Sequence, residues 1–221
     1  GAVLGDVLGK ENSVKRFKCQ EIASNKLGLT GWIQGTGYTG EEGVEIFISN
    51  DDSTNLWEAL ISHSDVTPAG LGARDTLRLE KGYLLSGQDF MWPEISENTN
   101  FPPGFLGRTT VQTAVPFGLD LNHEFIGREA LVRSMDSDSK FWGIECLDRG
   151  PSPRSGHKVL DGKGEDSRII GYVTSGGPSP SMNMTGIALG YLENCNAGDE
   201  VWIQSSSRRR IRSEVKTPPF V

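Results

Sequence analysis

Apolar residues in the first third of the chain alternate between helical and strand spacing. Val3, Leu4, Val7 and Leu8 make one helical stripe, which predicts an opening helix within Gly1 to Gly9. Phe17 to Ala23 and Leu27 to Gln34 read as strands separated by the polar turn Ser24-Asn25-Lys26. In the next strand, Val44 to Ile48, a period of two puts Val44, Ile46 and Ile48 on one face and Glu45 with Phe47 on the other. Asn50-Asp51-Asp52-Ser53 offers side-chain oxygens for the N-cap of a helix whose Leu56, Leu60 and Ile61 face the core with Trp57 alongside. A further helix is expected over Gly70 to Lys81. In it Arg74, Arg78 and Lys81 fall at i, i+4 and i+7, a row that reads as a solvated face, while Ala73, Leu77 and Leu84 follow another stripe.

From Met91 to Asn122 the periodicity dissolves. Pro93, Pro102, Pro103 and Pro116, with Gly104, Gly107 and Gly118, forbid a long regular element, so 91–122 is an irregular loop. Phe125 to Leu131 then reads as a short linking helix, and Asp136-Ser137-Asp138-Ser139 as a polar linker. The remainder alternates short strands with Gly, Pro and Ser turns: Phe141 to Leu147, His157 to Leu160, Ile169 to Thr174, Ile187 to Leu192, Glu200 to Gln204 and Arg210 to Val215. Strands at that spacing predict a small antiparallel barrel or sandwich. Arg208, Arg209, Arg210 and Arg212 read as a charged edge strand, with an acidic partner as the other reading. The expected fold class is α+β, with an α+β domain over 1–130 and a β domain over 137–221.

Charge narrows the function classes. With 22 basic against 29 acidic side chains and a net charge of -7, a general nucleic-acid surface is not expected. No apolar run approaches a membrane span and the N-terminus lacks a signal-peptide layout, so a soluble intracellular protein, cytoplasmic by default, is expected. Cys19, Cys146 and Cys195 have no close pair and read as buried thiols rather than a disulfide or zinc framework. His63, His123 and His157 are equally scattered, and no metal site is expected.

Glu45 beside Phe47 makes a suitable wall for a flat, polar-edged ligand, although pattern alone favours a solvated residue on the open face of an antiparallel sheet. Arg74 with Asp75 likewise has a structural explanation, since an acid in the first turns favours the helix dipole. Periodicity does not choose between these readings. The run Gly-Tyr-Thr-Gly-Glu-Glu-Gly-Val-Glu-Ile from Gly37, followed after a helix by Gly-Leu-Gly-Ala-Arg-Asp-Thr-Leu-Arg-Leu-Glu-Lys-Gly from Gly70, resembles the paired signature of the aminomethyltransferases, the T-protein of the glycine cleavage system. A third similar segment runs from Gly171-Tyr172-Val173-Thr174-Ser175-Gly176 through Pro178-Ser179-Pro180-Ser181 to Ile187-Ala188-Leu189-Gly190-Tyr191. The resemblance covers nearly the whole chain, most weakly between Met91 and Asn122, where the segment Phe101 to Leu106 looks expanded.

The resemblance implies an incomplete folate-binding α+β domain followed by a C-terminal β-barrel. It implies transfer of the one-carbon unit of an aminomethyl group, carried on the lipoyl arm of the H-protein, to tetrahydrofolate with release of ammonia. Matched to the family motifs, Glu45 and Arg74 are substrate-site residues, and Tyr38 in the adjoining turn supplies an aromatic wall. The family's catalytic Asp lies in an N-terminal region upstream of everything matched here; Asp75 and Asp89 belong to other motifs, and the catalytic residue is unknown. An N-terminal complement or self-association is expected in consequence. The alternatives are another folate-dependent one-carbon enzyme of demethylase type, or a folate-binding module without transfer chemistry. The second would call for a reactive Cys in a Lys-Gly-Cys-Tyr-type setting, which none of the three cysteines has.

Overall fold

The structure, a computed structural model, describes residues 1–91, 107–113 and 119–221. Most of the loop expected over 91–122, including Phe101 to Leu106, lies outside the described residues. Compactness divides the chain into two units, Gly1–Leu77 and Arg78–Val221, the division falling inside one helix.

The first unit holds a three-stranded antiparallel sheet whose apolar face packs against its first two helices. Its elements are α1 (Ala2–Leu8), β1 (Cys19–Glu21), β2 (Gly31–Gln34), β3 (Glu45–Ile48), α2 (Ser53–Ile61) and the start of α3 (Leu71–Glu80). The predicted β1 is shortened because Phe17 takes a positive φ of 59°, which ends extended pairing. The turn between β1 and β2 is held by Asn25: its Oδ1 accepts from the backbone N–H groups of Leu27 and Leu29, and its Nδ2 donates to the carbonyls of Ala23 and Leu29. Leu4, Leu8, Ile22, Leu29, Ile33 and Leu56 form the core, with Ile46, Ile48 and Leu60 against it. Leu56 is thus core as expected, whereas Ile61 and Trp57 are exposed. The N-cap segment forms a 3-10 turn, Asn50–Asp52, capped by the Ser49 side chain.

The second unit carries a closed six-stranded barrel ordered β4-β7-β6-β5-β8-β9, built from β4 (Ser139–Cys146), β5 (Lys158–Leu160), β6 (Ile169–Ser179), β7 (Thr185–Glu193), β8 (Glu200–Ser206) and β9 (Arg209–Lys216). The α+β class and the barrel expected from the turn spacing are both present. Ile144, Val159, Val173, Ala188, Leu192, Ile203 and Val215 fill the interior. On β7 the alternate residues Ile187, Leu189 and Tyr191 pack outward against Phe141, Leu79 and Leu84, so the strand is buried on both faces and reads as a continuous apolar run. β9 pairs with β8 on one side and β4 on the other. The edge-strand reading of the arginine cluster is therefore incorrect: closure removes that edge.

Two further expectations are corrected by burial. Arg78, read as part of a solvated row, is fully buried in the last turn of α3, while Leu77, read as apolar stripe, is exposed. Arg78 Nη1 donates to Asp89 Oδ2 at 2.8 Å and to the Tyr83 carbonyl at 3.1 Å; its Nη2 donates to Ser175 Oγ at 2.9 Å. The Ser175 and Thr174 hydroxyls donate to Asp89 Oδ1, and the Leu85 N–H donates to Oδ2. Of the three thiols read as buried, Cys19 is exposed and Cys195 half-buried. Burial pushes the Cys146 thiol up to about 11.

Glu80, at the end of α3, is also buried. Its carboxylate accepts from Ser179 Oγ at 2.6 Å, Ser181 N at 3.1 Å and Ser181 Oγ at 2.8 Å. Burial pushes its pKa up, but these donors outweigh that and hold it below the ordinary 4.5. A depressed carboxylate stabilises the fold fully above its unfolded pKa, and the contribution is lost as pH falls through the folded one. Glu80→Gln is accordingly expected to cost about 1 kcal/mol at neutral pH. That difference from the parent should shrink below pH 4.5 in urea titrations across pH.

Candidate functional site

The site grows from the turn after β2. Gly35 lies so close to a neighbouring segment that a Cβ there would sit 2.2 Å from the Lys15 carbonyl oxygen, and its backbone pairs with Phe17 and Lys18 at 2.9 Å each. Only glycine tolerates that approach. Gly40, with φ of 78°, turns the chain back towards β3, and Thr39 Oγ1 accepts from the Glu41 N–H within the loop.

The return places Glu45 directly opposite Gln34 in the β2–β3 register. Its side chain is on the face away from the core, exposed, and its Oε2 accepts a hydrogen bond from the Thr36 hydroxyl. Thr36 thereby fixes one carboxylate oxygen and leaves the other lone pairs for a ligand. One pleat further on the same face, Trp32 and Phe47 oppose each other, 48% and 52% exposed. Same-face neighbours along a strand are about 7 Å apart, so the carboxylate sits at the margin of an open aromatic surface. Cys19 is also on this face, opposite Gln34.

Arg74, on the exposed part of α3, lays its guanidinium over the Tyr38 ring, 4.4 Å from the centroid. This is cation–π geometry, which holds the planar fork in one orientation. Tyr38 and Thr36 are separated by one residue, so their Cα atoms lie within about 7 Å. The same short turn thus orients both the carboxylate and the guanidinium. All three residues singled out from the sequence, Glu45, Arg74 and Tyr38, belong to this one neighbourhood of the first unit.

Sequence reasoning missed Thr36, Trp32 and Gln34, because their relation to Glu45 is a matter of cross-strand register and a side-chain hydrogen bond. Among the described residues no group of three His, Cys, Asp or Glu side chains converges to hold a metal. No helix among them is long and apolar enough to cross a membrane. A carboxylate, a fixed guanidinium and exposed aromatic rings suit a flat molecule with N–H donors on one edge and anionic or carbonyl oxygens elsewhere.

Comparison with known proteins identifies the family. Residues 2–96 match the family model described as GCVT N-terminal domain, and residues 140–221 match the glycine cleavage T-protein C-terminal barrel domain. The chain is 37% identical over 195 residues to a probable aminomethyltransferase of Halobacterium salinarum, covering 88% of this chain and 49% of that protein. It is 38% identical over 186 residues to an aminomethyltransferase of Staphylococcus carnosus, covering 81% and 46%. The crystal structure of glycine cleavage system aminomethyltransferase T from Bartonella henselae matches with a TM-score of 0.78 at 29% identity, over 100% of this chain and 56% of that one. The chain spans about half the length of the curated relatives it matches. With both family models matched in order and the fold of a solved relative reproduced, this chain belongs to the aminomethyltransferase, or glycine cleavage T-protein, family.

Proposed function

We propose that this chain contributes to an aminomethyltransferase that passes the one-carbon unit of an H-protein-bound aminomethyl-lipoyl group to tetrahydrofolate, releasing ammonia. The observation that carries this reading is the pairing of Thr36 with Glu45 and of Tyr38 with Arg74 around one glycine-rich turn, inside the family-matched segment. The residues present fit a reduced pterin. An exposed carboxylate accepts two parallel N–H groups from an amidine-like edge, and the Trp32 and Phe47 rings offer an apolar surface for the body.

Tetrahydrofolate, when bound, supplies the ring nitrogen that takes up the methylene carbon. The chain's own part is positioning. Glu45 orients the pterin edge, with Thr36 limiting the carboxylate's rotation, and Arg74 presents a fixed fork to folate oxygens while Tyr38 keeps that fork in place. Asp89 takes no part, because its two oxygens already accept from Arg78, Leu85, Thr174 and Ser175.

The test is ammonia release from an aminomethylated H-protein, with the chain supplied alongside the N-terminal half of a relative. Release that depends on tetrahydrofolate is expected. Release indifferent to folate, or methyl transfer from a small N-methyl donor in its place, would overturn the reading.

A further inference from the structure

β1, β2 and β3 set one cross-strand row in register: Cys19 opposite Gln34, and Gln34 opposite Glu45. Ile33 is fully buried and Ile46 packs on the core, so their strand neighbours Gln34 and Glu45 both stand on the other face, half-buried and exposed respectively. Directly opposed side chains start about 5 Å apart, and these two have the same length, so the Gln34 amide and the Glu45 carboxylate reach one spot. The other strong donors of this neighbourhood are committed: the Thr36 hydroxyl donates to Glu45 Oε2, and the Arg74 guanidinium lies over the Tyr38 ring. Cys19 offers only a weak S–H donor. Among the described residues nothing hydrogen-bonds the Gln34 side chain, whose amide carries two N–H donors and a carbonyl. A carboxylate alongside attracts the N–H end of an amide, so the pair presents two acceptors followed by a donor.

We propose that Gln34 determines specificity at this site: its amide donates to the 4-oxo oxygen of the pterin whose 2-amino and N3–H groups Glu45 accepts. The assignment rests on the folate reading above and names the ring that the site selects, a 2-amino-4-oxo pterin. The edge of that ring runs donor, donor, acceptor, and a carboxylate by itself matches only the two donors. Glu45 alone is therefore blind to the group at position 4. With Gln34 beside it, a ring whose position 4 is a poorer acceptor forfeits a hydrogen bond and leaves an amide N–H unpaired against the ligand.

The probes are tetrahydrofolate and its 4-thioxo counterpart, which keeps both N–H donors and puts a weakly accepting sulfur in place of the oxygen. Each is titrated calorimetrically into the parent, Gln34→Met, Gln34→Leu and Glu45→Gln, with the N-terminal half of a relative supplied. The parent is expected to bind tetrahydrofolate roughly fivefold more tightly than the thioxo form. Both Gln34 variants should bring that ratio close to one by weakening tetrahydrofolate alone, while Glu45→Gln weakens both probes and keeps the ratio. A merely structural role for Gln34 would weaken the two probes equally. A ratio that survives in a folded Gln34 variant would overturn the proposal. So would a parent ratio near one, which decides the matter even where neither variant folds. Failure of the folate reading, which takes the proposal with it, looks different: the parent then binds neither probe, or binds both as tightly after Glu45→Gln.

Discussion

Asp89→Ala is expected to destabilise the fold by about 3–5 kcal/mol, the cost of leaving a buried cation without its partner. Arg78 and Asp89 have no solvent exposure at either side chain. Removing the carboxylate strands the guanidinium and also takes the acceptor from the Thr174 and Ser175 hydroxyls and the Leu85 N–H. Domains of ordinary stability have about 5–15 kcal/mol in hand, so the variant should sit near its unfolding transition under mild conditions. Replacing both partners with apolar residues, Arg78→Met with Asp89→Leu, should recover part of the loss, because no charge is then buried alone. Urea unfolding of the two single variants and the double variant decides it. A loss under about 1 kcal/mol for Asp89→Ala would mean that the pair behaves as a solvated one.

Glu45→Gln and Arg74→Ala are expected to weaken tetrahydrofolate binding by about 1–3 kcal/mol each, or roughly 5- to 150-fold in Kd. An amide in place of the Glu45 carboxylate would turn an N–H group towards a donor edge that needs an acceptor, and loss of the Arg74 fork leaves the folate oxygens on that side without donors. Both side chains are exposed, so stability should stay within about 0.5 kcal/mol of the parent. That separates a binding defect from a folding defect. Calorimetric titration in the presence of the N-terminal complement is the measurement; folded variants that bind as tightly as the parent would return Glu45 and Arg74 to the status of surface residues.

The sequence carried five of the six barrel strands to within two residues at each end, because each is short, apolar on its buried positions and bounded by Gly, Pro or Ser; the strand expected over Ile169 to Thr174 instead runs on to Ser179, through Gly176, Gly177 and Pro178 that local pattern gives to a turn. The strand placing Glu45 opposite to Ile46 and Ile48 was equally legible, since a period of two needs only a local count. Glu45, Arg74 and Tyr38 were picked out as ligand residues by their motifs alone, for pattern left each with a bland alternative.

Arg74 and Arg78 mark where local reading stops. They are four residues apart on α3, the same residue type, and period alone gives both to one face. Arg74 is exposed and stacks on Tyr38, whereas Arg78 is enclosed by Asp89 and by Ser175, 97 residues away. The arginines of β9 show the same limit, since whether they stand on an edge depends on β4 closing the barrel about seventy residues upstream. By itself the sequence determined which segments are helix or strand, because that follows from spacing within a few residues. The tertiary structure decided which charged side chains are buried and which meet a ligand, because a charge enters the interior only where distant parts of the chain bring enough donors and acceptors to replace its water.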